Sequence, residues 1–536
     1  MFIETGTLAV IAGTAFAKAP LKAQSPSYAP TRRARTKGSL HSVADLSPYT
    51  PRPDKPWNTE RAAHLLRRAG YGGDWRATQA AVASTPQAVV DALLSNGATP
   101  APPGTWTTQQ PAPLTNQAIA QYITWVRELQ EWWLNLFKAP AYALREKMTL
   151  FWHNHFVSEF YTVYVTQYLY KQNALFRQFA FGDFRELTKQ VTVDPAMLIY
   201  LDGNDNKAGN PNENYSRELL ELFALGAGTY ADNSPHYTEN DIIELARALT
   251  GWRINNATMN GEFISPRFDG GEKTLFGTRG NFGVNGRATL DVVDHVFNQI
   301  DPDNGLKRAA VFICSKLYSH FVFSVPDMAI VAEMARTLVQ NNWNIGPVLR
   351  QLLTSEHFYE ENVMGAIVKS PADYVLGAIS ALGLTPPVNA AYTSPTRLDQ
   401  HDPLTVMMNL SQWLFYHPNV KGWIGGRDWL SSATVPTRIR YAKFWLEPIT
   451  GSLSYNFDPV AFVKTLSDPN NVNSVIDDII ALLLPFPVST SERTKLKEAL
   501  LGGGMDYEWS PDASNASTRI RACLIRLTAL AEYQLM

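Results

Sequence analysis

The chain has 536 residues, 45% of them hydrophobic and 11% aromatic. That is ample for a large core and for roughly two to four units of about 100–200 residues each. Its 47 basic residues balance 49 acidic ones, leaving neither the positive footprint of a nucleic-acid binder nor a polybasic membrane anchor. Two cysteines, Cys314 and Cys523, are too few for a thiolate zinc site or an iron–sulfur cluster; they are either buried free thiols or one disulfide.

Residues Leu8 to Ala17 form a short apolar run, followed by the small-residue patterns Ala17-Lys18-Ala19 and Leu21-Lys22-Ala23. This predicts a secretory signal over residues 1–23 and export to the periplasm or the extracellular space. The usual basic residues before the run are missing and Glu4 stands there, so either the start is assigned late or the segment is not a signal. Residues 24–57, rich in Pro, Ser, Thr and Arg without an apolar period, predict a disordered tether. No run of about 18 apolar residues follows, so no transmembrane segment is predicted.

From Asn58 onward the apolar residues recur at helical spacing. Helices are predicted over Glu60 to Ala69, Trp75 to Ser95, Asn116 to Lys138, Ala141 to Glu159 and Val163 to Phe181. Two more are expected from Asn212 and from Thr238, and a series from Leu290 to Leu382. Pro/Gly-rich punctuation at 99–113 and 385–396 divides a main helical domain, 58–384, from a C-terminal helical part, 385–536, packed on it. Residues 253–277 break the pattern: apolar residues spaced around Asn260-Gly261 predict a β-hairpin with a type I′ turn at that dipeptide. The fold class is mainly α, a large multi-helix body with a small β-hairpin excursion near residues 253–277.

In the helix ending near Glu159, Leu144, Met148, Phe151 and His155 share one stripe, so His155 points inward. It is either a core histidine or an acid, base or ligand whose tautomer Glu159 fixes from one turn on. His153, about 200° around the helix, cannot share a metal with it and is expected at a surface or loop contact. Asn154 lies between them.

Polar groups are densest between Asp194 and Trp252. The loop Asp202-Gly203-Asn204-Asp205-Asn206 leads through Asn210-Pro211-Asn212 into a helix with Glu213, Arg217 and Glu221 on one ridge, Asn214 and Glu218 beside it, and Tyr215 opposite. The ridge is either a solvated face of ion pairs or the wall of a site. The Asp202 to Asp205 loop offers oxygens to a divalent cation without matching the EF-hand spacing. Thr238 and Asp241 form an expected capping box. Asn419 to Trp429 combines Trp423 and Trp429 with three glycines, which suits either a sugar-stacking platform or a packed turn. No Gly-x-Ser-x-Gly elbow, His-Glu-x-x-His or dinucleotide fingerprint occurs.

These groups predict an exported hydrolase acting on an extracellular glycan or another small molecule. His155, Glu213, Glu218 and Asp202 would be catalytic, and Asn154, Asn212, Tyr215, Arg217, Trp423 and Trp429 would bind substrate. No cofactor is required. One alternative is β-elimination on a uronate by Asn154, His155, Tyr215 and Arg217. Another is a non-catalytic binding protein that docks a co-exported partner through the hairpin and the Gly/Trp loop. The catalytic reading requires residues 155, 202, 213 and 218 to meet in one hollow.

The blocks Ala62 to Gly72, Trp152 to Phe156, Asn212 to Gly226, Asp241 to Trp252 and Asn419 to Trp429 together resemble domain-of-unknown-function family number eighteen hundred, over nearly everything from Asn58 to Met536. The resemblance implies a mostly helical, exported protein, often encoded beside a sulfatase-like secreted protein, which is the expected partner. It implies no family-wide activity. Phe268 stands where that family's His precedes Asp-x-Gly, which removes a ligand from any metal site there.

Overall fold

The computed structural model describes residues 45–95, 97–283, 290–386, 402–447 and 455–536. The expected signal segment and residues 24–44 of the expected tether lie outside the described residues. The rest of that tether belongs to the body. Leu46 and Tyr49 are buried, the Tyr49 N–H donates to the Thr354 carbonyl, and its ring lies 4.5 Å from that of Tyr359. Two apolar anchors in a Pro-rich stretch show no period, which is why the sequence conceals this docking.

The protein is mainly α-helical with two small two-stranded antiparallel sheets. Side-chain caps set many helix starts: Asn58, Asp74, Thr115, Asp183 and Asp194 each accept an N–H from the first turn of their helix. The stretch predicted as one helix from Trp75 is two, Trp75–Val82 and Pro86–Leu94, because Thr85 caps a new start and Pro86 suits a first-turn position that needs no N–H. The helix expected to reach Glu159 runs Ala143–His155, and Glu159 instead caps the short helix Phe160–Val163. The capping box of Thr238 and Asp241 is present on helix Glu239–Ala248.

Strand Trp252–Asn255 pairs with Asn260–Phe263, so the hairpin exists but Asn260-Gly261 lies in its second strand. The reversal falls on residues 256–259, with Met259 left-handed at φ 53. Gly261 answers a tertiary need, since a Cβ there would run into the Val193 carbonyl oxygen. A second hairpin, Lys273–Leu275 with Thr278–Gly280, turns on Phe276 and Gly277, both left-handed as a type I′ turn requires.

Two apolar clusters form the core. One joins Tyr71, Trp133 and Tyr168 to Tyr374, Leu404, Trp445 and Leu524, and so crosses the boundary expected at residue 384. The other gathers Leu65, Trp152, Phe223, Ile242, Leu317 and Leu349. Cys523 is buried in the first and Cys314 in the second, both as free thiols. Helix Ala143–His155 serves both clusters, Leu150 in the first and Met148 and Trp152 in the second. It is further pinned by buried Glu146, whose carboxylate accepts from Arg177 at 2.6 Å and from the Trp133 indole at 2.7 Å. Residues 533–536 pack on the body, Tyr533 buried and Met536 exchanging backbone hydrogen bonds with Ile367. Among the described residues no helix is long and apolar enough to cross a membrane.

Candidate functional site

Helix Ala143–His155 and helix Arg308–Phe321 each turn one stripe, at spacings of three and four, toward a cavity of about 720 Å³. This volume suits a small organic ligand. The first helix contributes Lys147, Phe151, Asn154 and His155, the second Phe312, Lys316 and His320; Tyr71, Gln412 and residues from segments 323–326, 366–373, 423–429 and 535–536 add to the lining.

His155 is buried, and its Nε2 lies 3.1 Å from the Phe223 carbonyl, to which it must donate. That leaves Nδ1 as an acceptor, and the Lys316 Nζ donates to it at 3.0 Å and to the Leu222 carbonyl at 3.1 Å. These carbonyls end the π-helical turn Leu219–Ala224, where backbone acceptors lack intrahelical partners and favour cations. Among the described residues no carboxylate lies within 4 Å of the Lys316 ammonium. Burial pushes Lys316 down to about 8. Burial and the neighbouring Lys316 charge hold His155 well below the usual histidine range, so its imidazole is neutral at physiological pH.

Lys147 is different. Its three N–H bonds go to Asp373 at 2.8 Å, the Arg67 carbonyl at 3.0 Å and the Gly70 carbonyl at 2.7 Å. Burial acts to raise the Asp373 carboxyl, but Lys147 and the capping hydroxyl of Ser370 outweigh it and hold the group below the usual carboxylate range. Beside this pair, burial and the charge of Lys147 push His320 down to about 4, and its Nε2 has no hydrogen-bond partner.

The Gly/Trp loop forms the mouth. Asn154 holds it as a strand neighbour would: its amide donates to the Trp423 carbonyl at 3.2 Å and its oxygen accepts the Trp423 N–H at 2.7 Å. Gly422 is left-handed at φ 79, and a side chain there would run into the Asn154 carboxamide. Trp423 packs against His417 at 4.0 Å between ring centres, while Ile424 is 81% exposed at the rim. Exposed Arg427 also lines the mouth, with no carboxylate within 4 Å among the described residues.

Of the ten site residues expected from sequence, Asn154, His155, Trp423 and Trp429 line this cavity. The other six do not. Asp202 accepts from the Asn214 amide at 2.6 Å, and Asn212 accepts the Asn214 N–H. Glu213 pairs with Arg217, whose guanidinium also forks onto Glu239 at 2.9 Å on the surface. Glu218 is half-buried, and burial followed by nearby Glu221 raises its pKa. Tyr215 is buried with its hydroxyl 2.7 Å from that of Thr192. The expected meeting of residues 155, 202, 213 and 218 is therefore absent from this cavity: Glu213 and Arg217 turn to Glu239 and solvent, and Glu221 on the same ridge faces Lys421 at 4.0 Å.

Other expectations are corrected as well. Glu159 does not orient His155; the Phe223 carbonyl and Lys316 do. His153 is buried, so of its two expected places the surface is wrong and the loop contact holds: it is wedged against Trp133 and the loop residues Phe415 and His417, with its Nε2 accepting the Phe415 N–H at 3.2 Å. In the Asp202 to Asp205 loop, the Asn204 side-chain oxygen is taken by the Ile254 N–H and its carbonyl by Arg267. No three His, Cys, Asp or Glu side chains among the described residues come together to hold a metal ion. Asp269 is bound by Arg247 at 2.8 Å and serves as scaffold.

Sequence reasoning missed Lys147, Lys316, His320, Asp373 and Arg427. One signal was present: Ser315-Lys316 and Ser319-His320 repeat a polar pair four residues apart on an otherwise apolar helix. No curated protein and no solved structure matches the chain. The family model described as protein of unknown function (DUF1800) matches residues 64–535, and the chain belongs to that family.

Proposed function

We propose that the protein binds a small anionic molecule in the cavity between helices Ala143–His155 and Arg308–Phe321, and acts on it there. The observation that carries this reading is that Lys316 and Arg427 line the cavity with no carboxylate in ion-pair distance, while Asp373, the one acidic side chain in the lining among the described residues, is already held by Lys147. For Lys316, which burial takes from water without a counter-charge, an anionic ligand would supply that charge; Arg427, exposed at the mouth, adds attraction there without a desolvation cost. Phe151, Phe312, Trp423 and Trp429 add apolar walls for the rest of the molecule.

An acidic sugar keeps the ligand within the glycan class expected from sequence. For elimination on a uronate, Lys316 would take the proton and Arg427 would neutralise the carboxylate, in the places sequence reasoning gave to Tyr215 and Arg217. Hydrolysis by paired carboxylates has less support, because it needs a second acid in the same cavity. Location outside the cytoplasm belongs to the same proposal and rests on the apolar run ahead of Ala23. A second reading, docking of a co-exported partner, is favoured by exposed Val325, Met328 and Ile424, which lie at or beside the rim.

Calorimetry with galacturonate oligomers and aromatic carboxylates, against their uncharged counterparts, tests the main reading. Acids bind and neutral analogues do not. Lys316→Met or Arg427→Gln weakens binding by about 10- to 100-fold, the loss of one charge-assisted contact of about 1.5–3 kcal/mol. Equal binding of neutral analogues, or undiminished affinity in both variants, overturns it.

A further inference from the structure

We propose that Lys316 is a covalent attachment point: its amine, with both N–H bonds held by His155 Nδ1 and the Leu222 carbonyl, condenses with the carbonyl group of an anionic oxo compound to form an imine. This rests on the cavity being an anion site, and it adds the chemical class of the ligand and the bond formed.

The argument is one of valence. A neutral primary amine has two hydrogens and one lone pair, and Lys316 Nζ has two hydrogen-bond partners, both acceptors, with the centre of the Phe312 ring 4.9 Å away. The Leu222 carbonyl can only accept, and His155 can only accept at Nδ1 because its one proton is committed to Phe223. With Cε in the third position, the fourth tetrahedral position is left for the lone pair, on a residue that lines the cavity. Lys147 is the internal contrast. Burial pushes it down too, but the Asp373 carboxylate opposes that push, and its three acceptors occupy all three N–H positions of an ammonium. Burial of Lys316, which pushes it down to about 8, adds on the order of 100-fold more free amine at neutral pH than an exposed lysine has.

In the reaction the nitrogen lone pair forms a C–N bond to the carbonyl carbon, and the carbonyl π pair moves to oxygen. The two amine hydrogens leave with that oxygen as water, and the C=N bond replaces C=O. Protonated, the imine keeps one N–H for His155 or Leu222. Arg427 faces the anionic end of the ligand.

The full chain is incubated with glyoxylate, or with uncharged propanal as control, and cyanoborohydride, which reduces imines to amines that survive peptide mapping. Glyoxylate modifies Lys316 at least about tenfold faster than exposed lysines such as Lys443 and Lys464. The rate climbs with pH to a midpoint near 8, and propanal narrows the advantage. Lys316→Arg removes the fast site, and so does Lys316→Met, which covers the case in which the larger guanidinium does not fit. Modification of Lys316 no faster than of exposed lysines, or a fast adduct elsewhere, overturns the proposal. Thermal-shift binding of carboxylates without fast modification overturns the imine alone; absence of both overturns the anion site as well.

Discussion

Acid loosens this fold through its buried histidines, and His153 provides the test. It lies against Trp133, Phe415, His417 and Trp423, and burial pushes its imidazole from 6.5 down to about 3. The folded value is below the unfolded one, so the unfolded chain takes up the proton first. The stabilising contribution is whole above pH 6.5 and is lost as pH falls toward 3. Each pH unit in that window removes about 1.4 kcal/mol, so acidification by about two units costs roughly 2.7 kcal/mol from this side chain. Domains are stable by about 5–15 kcal/mol, so the effect is large. His417, 4.5 Å away between ring centres, is also pushed down by burial and then by His153, and His320 is pushed down to about 4, so both add in the same direction. The assay is urea unfolding of the wild type and His153→Gln at neutral pH and about two units below the histidine range's upper edge. Glutamine keeps an oxygen for the Phe415 N–H and does not titrate. The variant starts less stable, by about 1–2 kcal/mol, but loses roughly 2.7 kcal/mol less than wild type on acidification. Equal losses refute the argument, because His153 would then titrate alike in both states.

Two further outcomes separate the cavity from the charged ridge. Gly422→Ala places a side chain in a left-handed conformation against Asn154, lowers stability by roughly 2 kcal/mol in urea unfolding, and weakens carboxylate binding by displacing the Trp423 to Trp429 mouth; wild-type affinity in this variant would show that the mouth is not part of the site. Arg217→Ala removes partly exposed pairs with Glu213 and Glu239, so thermal melts register under about 1 kcal/mol and calorimetry under about twofold in affinity; a tenfold loss of binding would return the ridge to the site.

The helices were legible because their apolar spacing is strong. Helix Thr59–Ala69 begins within one residue of expectation, and Leu144, Met148, Phe151 and His155 are all buried. Boundaries set by a single cap or a tertiary approach were not. Nothing periodic says that Glu159 abandons one helix to cap the next, or that Gly261 is glycine because Val193 crosses it rather than because the chain turns there. Among the residues that line the cavity, Asn154, His155, Trp423 and Trp429 are legible because a polar or aromatic group set in an apolar run is conspicuous. Lys316 is not legible in the same way, because it stands on a largely apolar helix far from the segment where polar residues are dense.

That density has its own physical cause. An irregular segment such as 202–214 must satisfy its backbone groups without helix or sheet, so it recruits Asn, Asp and Gly to do so. Asn206 joins the Ala246 carbonyl to the Asn212 N–H, and Asn204 and Asp202 are similarly consumed. Side chains used in this way are engaged first in the loop's own hydrogen bonds. A reactive group needs the opposite: few partners, water largely excluded, and one position unfilled. Lys147 and Lys316 are the same residue type in the same cavity, yet Lys147 donates to three acceptors, one a carboxylate, and Lys316 to two, neither of them charged. The partners come from the Arg67 to Gly70 turn, Asp373 and the end of the Leu219–Ala224 turn, all distant in sequence, so the count that distinguishes scaffold from site exists only once the chain has folded.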